Sequence, residues 1–207
     1  LEEASFADGD HNDNTATTEV SSATFGPFTG YSEALGFPDP RDSSAANVRA
    51  VLRQIIEKDG PLTRWSVCRL YVEGCPGLQR VGRAVQLALN RALAAMLRAG
   101  EIIQEDELRD GSPEGQVLRL AGTPMVKVRP AGRRDLLEIP PSELLAVLGR
   151  LARGSTQLAG DCEALFRAIL QYYGFRRLTK PRREYLSKVL RLLRQPEHNS
   201  GAQEQIR

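Results

Sequence analysis

VGRAVQLALNRALAAMLRAGEIIQ, residues 81–104, runs from a one-faced helix into a strand and so sets the architecture. Val81, Ala84, Val85, Ala88, Leu89, Ala92, Leu93, Met96 and Leu97 recur at the three- and four-residue spacing of a helix with one buried face. The opposite face carries Arg83, Gln86, Asn90 and Arg91. Gly100 stops the helix, and Glu101-Ile102-Ile103-Gln104 reads as a short strand. Asp110-Gly111-Ser112-Pro113-Glu114-Gly115 is turn chemistry, and Gln116-Val117-Leu118-Arg119-Leu120 reads as the returning strand.

Two helices precede this stretch. Val48, Val51, Leu52, Ile55 and Ile56 share one helical face, which Asp59-Gly60-Pro61 terminates. Thr63 is placed to cap a second helix running to about Glu73, with Trp65, Val67, Leu70 and Tyr71 expected in its core. Three helices followed by a hairpin is the order of a winged helix-turn-helix. That fold is expected over residues 47–125, with the third helix as recognition helix and residues 105–115 as the wing. A short strand is expected from Met125 to Arg129, and residues 126–138 are expected as a linker, basic from Pro130 to Glu138.

A second, degenerate three-helix module of winged-helix type is expected over residues 139–195, in a chain that is mainly α overall. Its helices are marked by Leu144, Leu145, Val147, Leu148 and Leu151, then by Leu165, Phe166, Ile169, Leu170 and Tyr173, then by Tyr185, Leu186, Val189, Leu190 and Leu193. No hairpin is expected after the last of them. Tyr172 and Tyr173 are both expected in the core.

The two modules share a segment. Gly77-Leu78-Gln79-Arg80-Val81-Gly82-Arg83 returns ninety-seven residues later as Gly174-Phe175-Arg176-Arg177-Leu178-Thr179-Lys180. Each reads as the opening of a helix, which puts Arg80 and Arg83 in the first turn of the third. Helix N-termini carry unpaired N–H groups and a partial positive charge, and arginine adds a forked donor. Arg, Gln and Asn are also the side chains able to bond base edges bidentately in a major groove. The expected nucleic-acid contacts are therefore Arg80, Arg83, Gln86, Asn90 and Arg91 in the first module. In the second they are Arg176, Arg177, Lys180 and Arg183.

Charge supports the same direction. Residues 1–46 hold nine acidic residues and one basic residue, leaving 27 basic and 17 acidic residues in 47–207. The first segment reads as an acidic disordered leader joined to an aromatic linker with Phe25, Phe28, Tyr31 and Phe37, and residues 196–207 as a disordered tail. The basic remainder suits a polyanion, although residues Glu105, Asp106, Glu107 and Asp110 in the wing oppose DNA contact there. They also lack the oxygen spacing of a calcium loop.

Catalytic constellations are missing from the sequence. The two histidines, His11 and His198, lie in the polar ends, and no nucleophile elbow, phosphate loop or zinc-binding HExxH pattern occurs. Three cysteines without a CxxC pair suit free thiols in a reducing compartment. No cofactor, metal or membrane partner is expected, and the location expected is cytoplasmic.

Four elements together resemble a known family. They are Ile55-Ile56-Glu57-Lys58-Asp59-Gly60-Pro61-Leu62, the Gly77–Arg83 segment, Ile139-Pro140-Pro141-Ser142-Glu143-Leu144 and Gly174-Phe175-Arg176-Arg177-Leu178-Thr179. The combination resembles the C-terminal domain of unknown function of very large bacterial superfamily 1 helicase-like proteins. Asp59 stands where that family has Glu, and Thr63 where it has His. The resemblance implies upstream helicase-like domains as partners and a noncatalytic accessory of an ATPase motor. DNA is the expected ligand, ahead of RNA. A protein-interaction adaptor and a free-standing dimeric transcription regulator are the alternative expectations.

Overall fold

The computed structural model describes residues 35–154 and 160–194. Among them are α1 (Ala45–Asp59), β1 (Leu62–Thr63), α2 (Arg64–Gly74), α3 (Arg83–Arg98), β2 (Ile102–Asp106), β3 (Gln116–Leu120), α4 (Pro141–Gly154), α5 (Cys162–Tyr173) and α6 (Lys180–Arg194). Single 3-10 turns cover Pro113–Gly115 and Leu136–Glu138. The chain is mainly helical with one small sheet, as the periodicity requires. No described helix is long and apolar enough to cross a membrane. Phe25, Phe28, Tyr31, the acidic leader and the polar tail lie outside the described residues.

Local chemistry sets the helix ends. Ser44 accepts from the Asn47 N–H at the start of α1, and Thr63 accepts from the Ser66 N–H at the start of α2. Such caps are each worth about 1 kcal/mol. At the end of α3 the Gly100 N–H reaches Leu97 O and the Glu101 N–H reaches Met96 O, both at 3.0 Å, which uses up two orphan carbonyls.

The sheet has the order β1-β3-β2, antiparallel throughout, with Leu62 opposite Leu118 and Ile102 opposite Leu120. β1 is a strand that the sequence did not announce, because two residues cannot show an alternation. The strand expected at Met125–Arg129 does not form. The Arg129 N–H donates to the Glu143 carboxylate at 3.2 Å instead of to a ladder.

Buried apolar side chains form two clusters. The first joins Val48, Leu52 and Ile55 of α1 to Leu70, Leu89, Leu93 and Met96, and reaches Ile102 and Leu118 of the sheet. The second joins Leu136, Leu144 and Leu148 to Phe166, Ile169, Leu186 and Val189. Leu108, from the hairpin loop, belongs to the second cluster. Two aromatics expected in a core stand half exposed, Trp65 at 48 % and Tyr172 at 47 %. Trp65 shares the outer line of α2 with Arg69 and Glu73, one and two turns on. Tyr172 packs edge-on against buried Tyr173, with ring centroids 4.9 Å apart.

The stretch expected as a basic linker is packed rather than free. Arg129, Arg134 and Glu138 are all buried. Arg134 forms a fork onto the Glu143 carboxylate at 2.7 and 2.9 Å, and Arg129 reaches the Asp59 carbonyl at the end of α1. Ahead of α1, Phe37 is buried against Tyr71, and the Leu35 and Phe37 N–H groups both donate to Gly74 O. Only glycine suits position 74, because a Cβ there would lie 2.3 Å from the Phe37 ring.

Candidate nucleic-acid interface

The repeated segment is repeated in backbone as well as in letters. Gly77 and Gly174 both take left-handed φ, 84° and 77°, which a side chain would resist. Five coil residues follow each, and a helix starts at the sixth, Arg83 or Lys180. The first in-helix bonds correspond too: the Gln86 N–H to Gly82 O and the Arg183 N–H to Thr179 O, each at 2.9 Å.

This corrects the expected start of α3, while α6 starts at Lys180, where Lys180-Pro181 predicts it. Gly174 ends α5, with the Phe175 N–H donating to Leu170 O at 2.8 Å, and does not open α6. Arg80, Arg176 and Arg177 therefore project from coil ahead of a helix, whereas Arg83 stands in the first turn of α3 and Lys180 and Arg183 in that of α6. The left-handed glycine turns the chain before the helix can begin.

Arg80, Arg83, Gln86 and Arg91 are exposed. Arg83, Gln86 and Asn90, at i, i+3 and i+7, share the flank of α3 that looks toward α2 and β2. Arg91 is on the other flank, beside α1, in a depression of about 310 Å³ with Pro40 and Arg49. Asn90 is already engaged. Its Oδ1 accepts from Arg64 Nε at 3.3 Å and Nη2 at 3.0 Å.

In the second module Arg176 and Arg177 are exposed beside Phe175, Thr179 and Arg182, around an open depression of about 700 Å³. Lys180 lies 4.0 Å from Glu184 one turn on. Arg183 is ion-paired with Glu163 of α5, which removes it from the group of free cations. Arg182 is spent on structure: it pairs with Asp135 and lies 4.6 Å over the Phe175 ring.

The hairpin loop departs most from expectation, because all four carboxylates are used inside the chain. Glu105 accepts from Arg119 at 3.0 Å. Asp106 accepts from the Arg109 and Gly111 N–H groups at 3.0 and 2.8 Å and so ties the turn. Glu107 accepts from Ser142 N at 2.7 Å and Ser142 Oγ at 2.9 Å, which caps α4 from across the molecule. Asp110 pairs with Lys188 of α6 at 2.8 Å.

Burial pushes the Glu107 carboxyl up to about 6 against the Ser142 donors. Lys188, foremost, holds the Asp110 carboxyl down at about 2. Glu107 and Asp110 thus clasp the loop onto the second module, and all four of these carboxylates are engaged within the chain. The sequence showed four carboxylates but gave no sign of their distant partners.

Sequence reasoning also missed Arg64. It stands at the start of α2, and Nη1 donates to Gln104 Oε1 at 2.7 Å while its other nitrogens hold Asn90. No local pattern marks it, since its partners lie 26 and 40 residues away. Cys68, the buried thiol of α2, is pushed up to about 11 by burial, far from a reactive thiolate at neutral pH. Among known proteins, no family model, curated protein or solved structure matches this chain.

Proposed function

We propose that residues 47–125 are a winged helix-turn-helix with α3 as recognition helix, and that α4 to α6 are a degenerate second copy. The chain then serves as a noncatalytic, nucleic-acid-binding accessory of a helicase-like ATPase, with DNA as its ligand. The fold part is supported by the order α1-β1-α2-α3-β2-β3, the sheet order β1-β3-β2 and the shared geometry at Gly77 and Gly174. The link to a helicase-like parent is carried by the four sequence elements quoted above.

One observation carries the ligand. The chain pairs many of its cations internally, as at Arg69, Arg119, Arg129, Arg134, Arg182 and Arg183. The side chains of Arg80, Arg83, Arg176 and Arg177 have no ion-pair or hydrogen-bond partner among the described residues, and all four are exposed at the two equivalent loop-to-helix junctions. Forked donors held out beside open helix N-termini suit phosphate oxygens.

The test is the salt dependence of duplex DNA binding by the full chain. Each phosphate contact contributes a slope of about −0.9 in log K against log salt. Arg80→Ala with Arg83→Ala should weaken binding about 10-fold or more and flatten the slope by about 2. Arg176→Ala with Arg177→Ala should do the same if the second junction contributes. Affinity and slope unchanged in both pairs would end this placement of the surface.

A protein adaptor is the second reading, favoured by Leu87. It stands 52 % exposed in the middle of the outward face of α3, where a recognition helix would carry a polar side chain. Recovery with upstream helicase-like domains, lost in Leu87→Asp, together with no DNA affinity, would select that reading.

A further inference from the structure

Four polar side chains, one each from α2, α3, β2 and β3, form one chain of hydrogen bonds. Arg64 donates to Asn90 Oδ1 at 3.0 Å and to Gln104 Oε1 at 2.7 Å, and Gln104 Nε2 donates to Gln116 Oε1 at 2.7 Å. A guanidinium has five N–H donors and no acceptor. Whatever faces it must therefore be an oxygen, and reversing either amide would set donor against donor. The polarity then propagates outward: Gln104 must turn its NH2 toward Gln116, and Gln116 must turn its oxygen inward.

Both ends of this chain are amide nitrogens. Asn90 Nδ2 and Gln116 Nε2 have no hydrogen-bond partner among the described residues, and neither is a buried unpartnered atom, so both reach solvent. Asn90 Oδ1 receives two donors from Arg64, which fills its two lone pairs. One and two turns N-terminal to Asn90 on the same flank stand Gln86 and Arg83, both exposed.

We infer that Arg64 is a positioning residue that locks Asn90 and Gln116 with their N–H donors outward, so that this part of the surface takes only acceptor groups. Those groups are phosphate oxygens or base-edge acceptors, of which the O6/N7 edge of guanine offers two side by side with no donor between them. The bidentate pairing of Asn with adenine, which needs an acceptor and a donor from one amide, is closed to Asn90. The inference rests on the nucleic-acid reading and specifies its chemistry.

The experiment uses the full chain, two short duplexes made only of A·T or only of G·C pairs, and two readouts: melting temperature and affinity. Asn90→Asp should keep the wild-type melting temperature, because a carboxylate also accepts from Arg64. It should lower affinity for both duplexes, because the outward donor is gone. A phosphate target gives wild-type affinities for the two duplexes within about twofold, whereas a guanine target gives a G·C preference of about 5-fold or more, lost in Asn90→Ala.

Arg64→Met frees the amide to rotate: with a guanine target it should raise the A·T-to-G·C affinity ratio by about threefold or more, and with a phosphate target it should weaken affinity for both duplexes alike by about threefold. Arg64→Lys, which still only donates, should return either change toward wild type. A merely structural role for Arg64 would change melting and leave the ratio and both affinities fixed, which overturns the inference. So does a wild-type A·T preference that Asn90→Ala removes, or an Asn90→Asp protein that melts as low as Asn90→Leu. Absence of wild-type affinity for either duplex overturns the nucleic-acid reading and the ligand class with it, while the Asn90→Asp melt still reports separately on the amide orientation.

Discussion

Glu143, 2 % exposed, accepts from both terminal nitrogens of Arg134 and from the Arg129 N–H, and Tyr173 Oη donates to it at 3.4 Å. Two buried charges cost several kcal/mol each to desolvate, and only a full set of partners offsets that. Removing one partner leaves the other stranded. Glu143→Ala should therefore cost about 3–5 kcal/mol in urea unfolding. Glu143→Leu together with Arg134→Met, which removes both charges and keeps volume, should cost clearly less. Equal losses would mean that the pair is not acting as a unit. The sequence showed nothing of this. Arg129 and Arg134 sit among Pro, Gly and other basic residues, a composition that reads as solvated, and their countercharges Asp59 and Glu143 are distant or on another helix. Local composition reports exposure well only when charges find water, and here they find each other.

At the scale of elements, regular helices were legible and their junctions were not. α1, α2 and α4 to α6 fall where apolar spacing, Thr63, Pro141 and Asp161 put them, because burial of one face is written into every third or fourth residue. The hairpin strands followed from Ile102, Ile103, Val117 and Leu118. The spacing extends α3 six residues ahead of its true start at Arg83, since Val81 continues the apolar pattern and Gly82 offers no side-chain cap to mark the boundary. Of the site, Arg80, Arg83 and Gln86 were legible as basic or amide residues opposite an apolar face. Arg64 was not, because its role depends on a strand forty residues on.

The Glu107 clasp on α4 carries a pH signature. Its folded carboxyl, at about 6, lies above the ordinary value of 4.5, so the folded chain holds a proton that the unfolded chain releases first. The stability from this group is fully present below pH 4.5 and is lost as pH rises through 6. Asp110 works the other way, its contribution present above 3.8 and lost as pH falls toward 2. Urea midpoints followed from pH 4 to 7 should show a decline between about 4.5 and 6 that Glu107→Gln flattens. An identical profile in the variant would place the titration elsewhere.

Over the whole molecule, two apolar clusters are bound by polar ties into one body. Arg69 of α2 pairs with Glu138 at 2.6 Å, Arg129 reaches Asp59, Glu107 caps α4, Asp110 holds Lys188, and Leu108 sits inside the second cluster. Tandem modules on a free linker would melt in two steps. This chain should unfold in one, with calorimetric and van't Hoff enthalpies in agreement, and Leu108→Ala with Glu107→Ala should split the transition. Two transitions in the unmodified chain would contradict the clasp. The hairpin tip also acquires an unusual constraint on its evolution. Ordinary surface loops accept an inserted residue at little thermodynamic cost. One inserted between Glu107 and Asp110 would carry a carboxylate away from Ser142 or Lys188, so descendants of this gene should vary in the spelling of that loop while preserving its length.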